Sequence, residues 1–355
     1  MEYLDKRTAS VVITILVFIA AGAFLYLAGR VLVIFLFAIF FAYLLDPLVS
    51  RIEHWRPLSR GSRSIAILQV YAILCLLVGI VLFLVGPAIM TQGRKLGDAL
   101  PGLFEKVTSG QIVWQIGSSR GWSYTTQIRL QQFLAGHRDV ALSWVGALGS
   151  RMAIFAQNII WIVLIPILAI FFLKDGRNLT ETILETVEHR QKQQFLSGIA
   201  EDVNVMLAHF IRSQLILAGL SLVVYMSILS ALRVPYASVL GSLAGVMEFI
   251  PVVGPFLGAV AILGVAFLAN YNHLLVVAAF LAGWRLLQDY VVAPRIMGGK
   301  LRLHPLAVIF AILVGGEIAG VIGVYLSIPI AAGLGIVWKR WHRIYANGRP
   351  AIKVA

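Results

Sequence analysis

GVMEFIPVVGPFLGAV, residues 245–260, reads as the middle of an apolar membrane helix until Glu248 interrupts it. Pro251, Gly254 and Pro255 follow within the next turns. Proline lacks the N–H that a helix interior uses, its ring crowds the preceding turn, and glycine tolerates almost any backbone geometry. A charge at bilayer depth costs about 2.5–3.5 kcal/mol on insertion scales, so Glu248 needs a physical reason to be there. Backbone groups freed by a helix break survive at that depth only where they are buried in protein or line a watery cavity. The stretch therefore predicts an interrupted segment inside a membrane protein, with a polar pocket at the interruption.

The whole chain agrees about its solvent. Of 355 residues, 60% are hydrophobic and only 13% charged, where soluble domains are about half apolar and about a quarter charged. The net charge is +13, but the basic residues stand in short runs between apolar spans. These are Arg51, Arg56, Arg60 and Arg63, then Arg295, Lys300 and Arg302, then Lys339, Arg340 and Arg343. That is the pattern of positive loops on the cytoplasmic side, and it removes the case for nucleic-acid binding. Cys75 is the sole cysteine, so no intramolecular disulfide and no cysteine metal site is possible. MEYLDKRTAS reads as a cytoplasmic start to a retained span, without a clear cleavage site. HExxH and P-loop signatures are absent and the histidines are scattered, so the expectation is no enzyme, no metal and no cofactor beyond a coupling Na⁺ or H⁺.

An all-α polytopic membrane protein follows, with about five to six full spans and two interrupted segments. Ser10–Ala28 and Val31–Leu45 form a tight hairpin, the second span ending at Asp46-Pro47. Ser64 to Val85 makes a third span, closed by Gly86-Pro87; residues 1–90 are thus an N-terminal scaffold. Residues 91–150 are a polar outer insert with short amphipathic helices, and 151–210 hold a fourth span, Met152–Leu173, and a cytoplasmic amphipathic helix. Residues 211–338 form the motif-rich region, and 339–355 a basic tail. Segments 237–268 and 305–337 would each be about 50 Å long as straight helices, against about 30 Å of hydrocarbon. Each is interrupted near its middle, the second by GGEIAG at 315–320. They are helical hairpins or discontinuous helices, and hairpins keep the basic loop 293–304 and the basic C-terminus both inside.

Four charged residues stand at bilayer depth in the last third of the chain: Glu248, Arg285, Asp289 and Glu317. Arg285 and Asp289 are spaced i, i+4 on one helical face and can pair, either to fix packing or to line a transport path. Glu248 beside freed carbonyls suits Na⁺ or a proton, and Glu317 at the second interruption is its possible counterpart. Alternatively, each glutamate simply caps amides at its break. Gly241–Gly245, Gly254–Gly258 and Gly316–Gly320 are GxxxG spacings that permit close helix contact.

EFIPVVGPFLG (248–258), RVPYASVLGSLAG (233–245) and DYVVAPRIMGGKLRLHPLAVIFAILVGGEIAGVIGVYLSIPIAA (289–332) resemble the autoinducer-2 exporter family, also called the PerM-like permeases. The resemblance implies a multi-pass secondary transporter of the bacterial inner membrane. It further implies export of autoinducer-2 or Na⁺(Li⁺)/H⁺ antiport, a homo-oligomer (a pentamer), and elevator-like motion of the C-terminal half. By motif, Glu248, Pro251 and Gly254 match one family block, with Pro255 beside them. Asp289, Pro294, Pro305, Gly316, Gly320 and Pro329 match a second block, which also contains Gly315. Where relatives carry Gly-Gln early in the fifth span, this chain has Ser213-Gln214. The partners so implied are the lipid bilayer, a small-molecule or ion substrate and further copies of the chain. A passive channel and a non-transporting membrane scaffold are the rival readings.

Overall fold

The computed structural model describes residues 6–55, 62–119, 121–136, 159–187, 189–297 and 304–347. Twelve α-helices and one π-turn, with no strand among the described residues, make the protein all-α. They are α1 (Lys6–Leu27), α2 (Gly29–His54), α3 (Arg63–Thr108), α4 (Gln111–Ser119), α5 (Tyr124–Gly136) and α6 (Ile159–Glu185). Then come α7 (Arg190–Ala231), α8 (Ala237–Met247), α9 (Val253–Leu268), α10 (Leu274–Leu287), the π-turn Gln288–Val292, α11 (Ala293–Met297) and α12 (Pro305–Asn347). Among the described residues, five helical stretches are long and apolar enough to cross a membrane: Val31–His54, Arg63–Leu103, Lys192–Ala231, Leu274–Met297 and Pro305–His342. Shorter apolar helices cover Ser10–Phe24, Ala237–Met247 and Val253–Leu268. The start of the fourth span, residues 152–158, and basic-loop residues 298–303 lie outside the described residues.

The chain packs as two units, Met1–Val70 with Ala153–Thr180, and Tyr71–Met152 with Glu181–Ala355. In the first unit α2 buries Ile34, Ala38, Ala42, Leu45 and Val49, a stripe at three- and four-residue spacing. Its other face stays apolar and exposed, as lipid requires. The helix does not stop at Asp46-Pro47 but runs through Pro47 to His54. Arg63 braces this extension: it pairs with Asp46 at 2.8 Å and Glu53 at 3.1 Å, two turns apart on one helical face. Its Nε also donates to the carbonyl of Leu173 at 2.6 Å, so one guanidinium ties α2, α3 and α6 together.

In the second unit α3 likewise passes through Pro87 and Pro101 to Thr108, well beyond the expected stop at Gly86-Pro87. The short α4 and α5 pair through Trp114 Nε1 donating to Gln131 Oε1 at 3.0 Å. Val113 packs with Trp122, Phe267 and Leu268, which brings the insert against the end of α9. The amphipathic stretch before residue 211 and the apolar span after it run on as the single helix α7. Its buried stripe runs Met206, Phe210, Gln214, Leu217, Ser221, Tyr225 and Leu229. Around it α8, α9 and α10 bury Leu240, Ala244, Ile262, Ala266, Val277, Leu281 and Trp284 as one core.

Both long interrupted segments are hairpins. A Cβ on Gly258 would lie 3.0 Å from the Cβ of Ala244, whereas a continuous helix would hold those residues about 21 Å apart at 1.5 Å per residue. Gly254 lies against the carbonyl of Met247 in the same way. In α12 the backbone reverses at Ala319 (φ −136°) and Gly320 (φ 57°, ψ −137°), a geometry suited to glycine. Gly315 then meets Gly323, and a Cβ on Gly316 would sit 3.3 Å from Val324. Paired glycines let the two arms touch backbone to backbone. Although apolar enough throughout, Pro305–His342 therefore does not cross as one rod.

Candidate functional site

Residues 248–252 form the tip of the first hairpin. α8 ends at Met247, and Pro251 cannot donate the N–H that would prolong it. The amide of Val253 bonds back to the carbonyl of Pro251 at 2.7 Å. This tight turn puts the β-branched Val252 at φ 66°, ψ −52°, a strained geometry that only a well-packed surround can hold. The carbonyls that the break would free are mostly taken. The amides of Phe249, Ile250 and Gly254 bond to the carbonyls of Val246, Met247 and Ile250. Gln214 Nε2 on α7 donates to the carbonyls of Glu248 at 2.8 Å and Phe249 at 3.1 Å. Backbone oxygens engaged in this way do not supply the open ligand set expected of the break, and the polar surface of the site comes from side chains instead.

Glu248 is 3% exposed, and side chains of two helices converge on its carboxylate. Tyr225 of α7 donates its hydroxyl to Oε2 at 3.4 Å. Arg285 of α10 donates Nη1 to Oε1 at 3.2 Å. Gln288, the first residue of the π-turn, is buried beside the same carboxylate. Arg285 also holds Asp289 through Nε at 2.8 Å, so the guanidinium bridges a buried and an exposed carboxylate. One turn away Trp284 Nε1 donates to Ser221 Oγ at 3.3 Å. Two facing helices thus contribute Ser221 and Tyr225 on one side, and Trp284, Arg285, Gln288 and Asp289 on the other, with Glu248 between them. In an apolar core such a seam is expensive. With both carboxylates ionised, the three charged groups sum to one negative charge.

The remaining sequence candidates divide. Pro251, Gly254 and Pro255 belong to the hairpin tip and the first turn of α9, and Gly254 and Pro255 are buried there. Gly315, Gly316 and Gly320 build the second hairpin, and Pro329 is buried in its second arm. Pro305 opens α12, where a missing N–H costs nothing, and Pro294 lies exposed in α11. Glu317 is exposed on α12 and makes no hydrogen bond or ion pair with Glu248, Arg285 or Asp289 among the described residues. What links the second hairpin to the first is aromatic: Tyr325 stacks on Phe249 with ring centroids 4.9 Å apart. The sequence reading missed Tyr225, Ser221, Gln288 and Tyr325. The α7 pair could have been found from two polar groups four residues apart on the buried face of an apolar helix. Among the described residues no cluster of His, Cys, Asp and Glu could hold a metal ion.

Broken helices closed into hairpins around a buried charged seam define a multi-pass membrane protein of the transporter class. The chain belongs to the AI-2E transporter family, whose sequence profile matches residues 13–343. It is 26% identical over 321 residues to the provisionally named transport protein YrrI of Bacillus subtilis, covering 86% of this chain and 85% of that one. YueF of the same organism, likewise provisionally named a transport protein, is 23% identical over 82% of this chain and 78% of its own length. The AI-2 transport protein TqsA of Escherichia coli is 24% identical over 308 residues, 85% of this chain and 84% of that one.

Proposed function

We propose that this permease is a secondary transporter that exports a small polar solute by coupling its movement to an ion, with Glu248 as the coupling carboxylate. The observation that carries the reading is Glu248 itself, 3% exposed in an apolar core yet bonded to Tyr225 and Arg285. A buried carboxylate with one movable cationic partner can exchange that partner for a proton without leaving a bare charge behind. A guanidinium 3.2 Å away works against Na⁺ at the same oxygen, which favours the proton as coupling ion. Autoinducer-2, the cargo named for the Escherichia coli relative, is the solute to try first. The bacterial inner membrane, cytoplasmic termini and a homo-oligomeric, pentameric assembly complete the reading, on the family resemblance and the placement of basic loops.

The test is flux in proteoliposomes of the full chain under an imposed pH gradient, with and without Na⁺, following autoinducer-2 and internal pH together. Gradient-driven flux that disappears in Glu248→Gln is the expected result. Flux indifferent to both gradients identifies a channel, and Na⁺-driven pH change without solute movement identifies an antiporter. A Glu248→Gln variant with unaltered flux and pH dependence refutes the assignment of Glu248.

A further inference from the structure

The helix pair α4–α5 sits against the base of the first hairpin, the end away from Glu248, and what it touches fixes its depth. Three apolar helices begin or end at that level: α7 stops at Ala231, α9 at Leu268, and α10 starts at Leu274. The turn between α9 and α10 closes on α7, where Tyr271 donates its hydroxyl to the carbonyl of Leu232. Apolar surface resumes at once in α10, with Leu275 84% exposed. This level is therefore the edge of the hydrocarbon. Val113 of α4 and Trp122 of the link between α4 and α5 pack there on Phe267 and Leu268. Gln92 of α3 accepts the amide N–H of Ser238 at the start of α8, at 2.8 Å. The pair itself is tightly built. A Cβ on Gly117 would lie 2.7 Å from Gln127 Cγ, and Gln127 Nε2 donates to the carbonyl of Trp122.

On its open side the same pair is apolar. Tyr124 is 68% exposed, Phe133 62% and Leu130 39%, and the exposed ring of Trp114 lies beside Tyr124 with centroids 5.5 Å apart. Trp114 already donates its Nε1–H to Gln131, so the rest of its ring asks for an apolar surround. Along α5, Thr126, Leu130 and Phe133 follow at four- and three-residue spacing on one face, while Thr125, Arg129 and Gln132 do so on the next. We infer that α4–α5 is a foot seated in lipid at the boundary between hydrocarbon and headgroups. Trp114, Tyr124, Leu130 and Phe133 are its lipid contacts, and Arg129 borders them where lipid phosphate lies. The occupant is lipid because this surface continues, at the same level, the lipid-facing side of α10. Trp and Tyr are also the residues that collect at bilayer–water boundaries. A wholly aqueous position would leave four large apolar side chains uncovered on a small two-helix unit. The inference is independent of what the charged seam carries. With Gln92 on the start of α8, and Val113 and Trp122 on the end of α9, such a foot holds the base of the first hairpin at one depth.

The experiment uses the full chain in vesicles of phosphatidylethanolamine and phosphatidylglycerol. Wild type is irradiated with a phospholipid carrying a diazirine on its acyl chain close to the headgroup, and adducts are mapped by peptide. Adducts are expected on residues 111–136 as well as on the exposed apolar stretch of α3 at 73–84, the positive control. Adducts on α3 alone overturn the inference. Depth is measured separately with nitroxides at Leu130→Cys, Phe133→Cys and Gln132→Cys, each combined with Cys75→Ser because Cys75 is the one native cysteine. Collision with oxygen, which partitions into lipid, is compared with collision with a water-soluble nickel chelate. Labels at 130 and 133 should favour oxygen and report a depth of about 5–10 Å, as surface-lying amphipathic helices do, while the label at 132 should favour nickel. All three favouring nickel would put the foot in water and overturn the inference. Labels at 130 and 133 closed to both reagents would mean that a second copy of the chain covers the surface, and would overturn it as well. The photolabelling needs no substitution, so it decides even if a cysteine variant does not fold.

Discussion

Replacing Gln214 by Leu isolates what holds the first hairpin tip in place. Gln214 Nε2 serves two carbonyls at once, Glu248 O at 2.8 Å and Phe249 O at 3.1 Å. Leucine fills similar space in the buried stripe of α7 but donates nothing. The net worth of a hydrogen bond between membrane helices averages about 0.6 kcal/mol, which would predict only about 1 kcal/mol for two. The larger effect is what remains: two carbonyls at a break, with no helical donor and little water. Each unpaired buried group costs about 1–3 kcal/mol, so Gln214→Leu, which leaves two, should destabilise by about 2–6 kcal/mol. Chemical unfolding in mixed micelles measures the total, and hydrogen exchange locates it. Exchange should quicken first at the amides of Ile250 and Gly254, whose bonds lie within the tip. Leu215→Ala, at a neighbouring position that is 42% exposed, is the control and should stay within about 1 kcal/mol. A Gln214→Leu protein as stable as wild type, with unaltered exchange at 248–254, would show that the tip holds itself and refute the argument.

Two glycine predictions separate packing from backbone geometry. A Cβ on Gly245 would lie 2.5 Å from the Cβ of Leu222 and 2.9 Å from its backbone nitrogen, so Gly245→Ala must push α7 and α8 apart at a cost of about 1–3 kcal/mol. Gly264→Ala, with nothing within 4 Å of its new Cβ, should be neutral or stabilising by up to about 1 kcal/mol; melting of the two side by side is the check, and equal midpoints would contradict it. Gly320→Ala also meets nothing within 4 Å, but at φ 57° any cost is conformational, about 1–3 kcal/mol. Its unfolding should show that loss, and an unchanged stability would mean the second hairpin turns by another route.

Much of this architecture is legible in residue order because lipid is an unforgiving solvent. Apolar length fixes where helices can cross, and a proline with flanking glycines between two apolar arms, as at Pro251 and Gly254, can only be a break. The same local rules misplaced the helix ends at Pro47 and Pro87. A proline removes one hydrogen bond, and the ion pairs of Arg63 with Asp46 and Glu53 join residues 17 and 10 apart in sequence, beyond any local window.

By itself the sequence determined the all-helical class, the two interrupted segments, the i, i+4 pairing of Arg285 with Asp289 and the place of Glu248 at the first break. Each of these depends on composition or on a period along one helix. Only the tertiary structure decided that the interrupted segments are hairpins, since Gly258 must find Ala244 and Gly315 must find Gly323 across a reversal of the chain. Tertiary structure also decided that Glu248 faces Tyr225, Arg285 and Gln288 while Glu317 does not join them. Which carboxylate becomes buried depends on which faces of α7, α8 and α10 meet. That is a property of three helices packed together, and no single helix carries it in its own sequence.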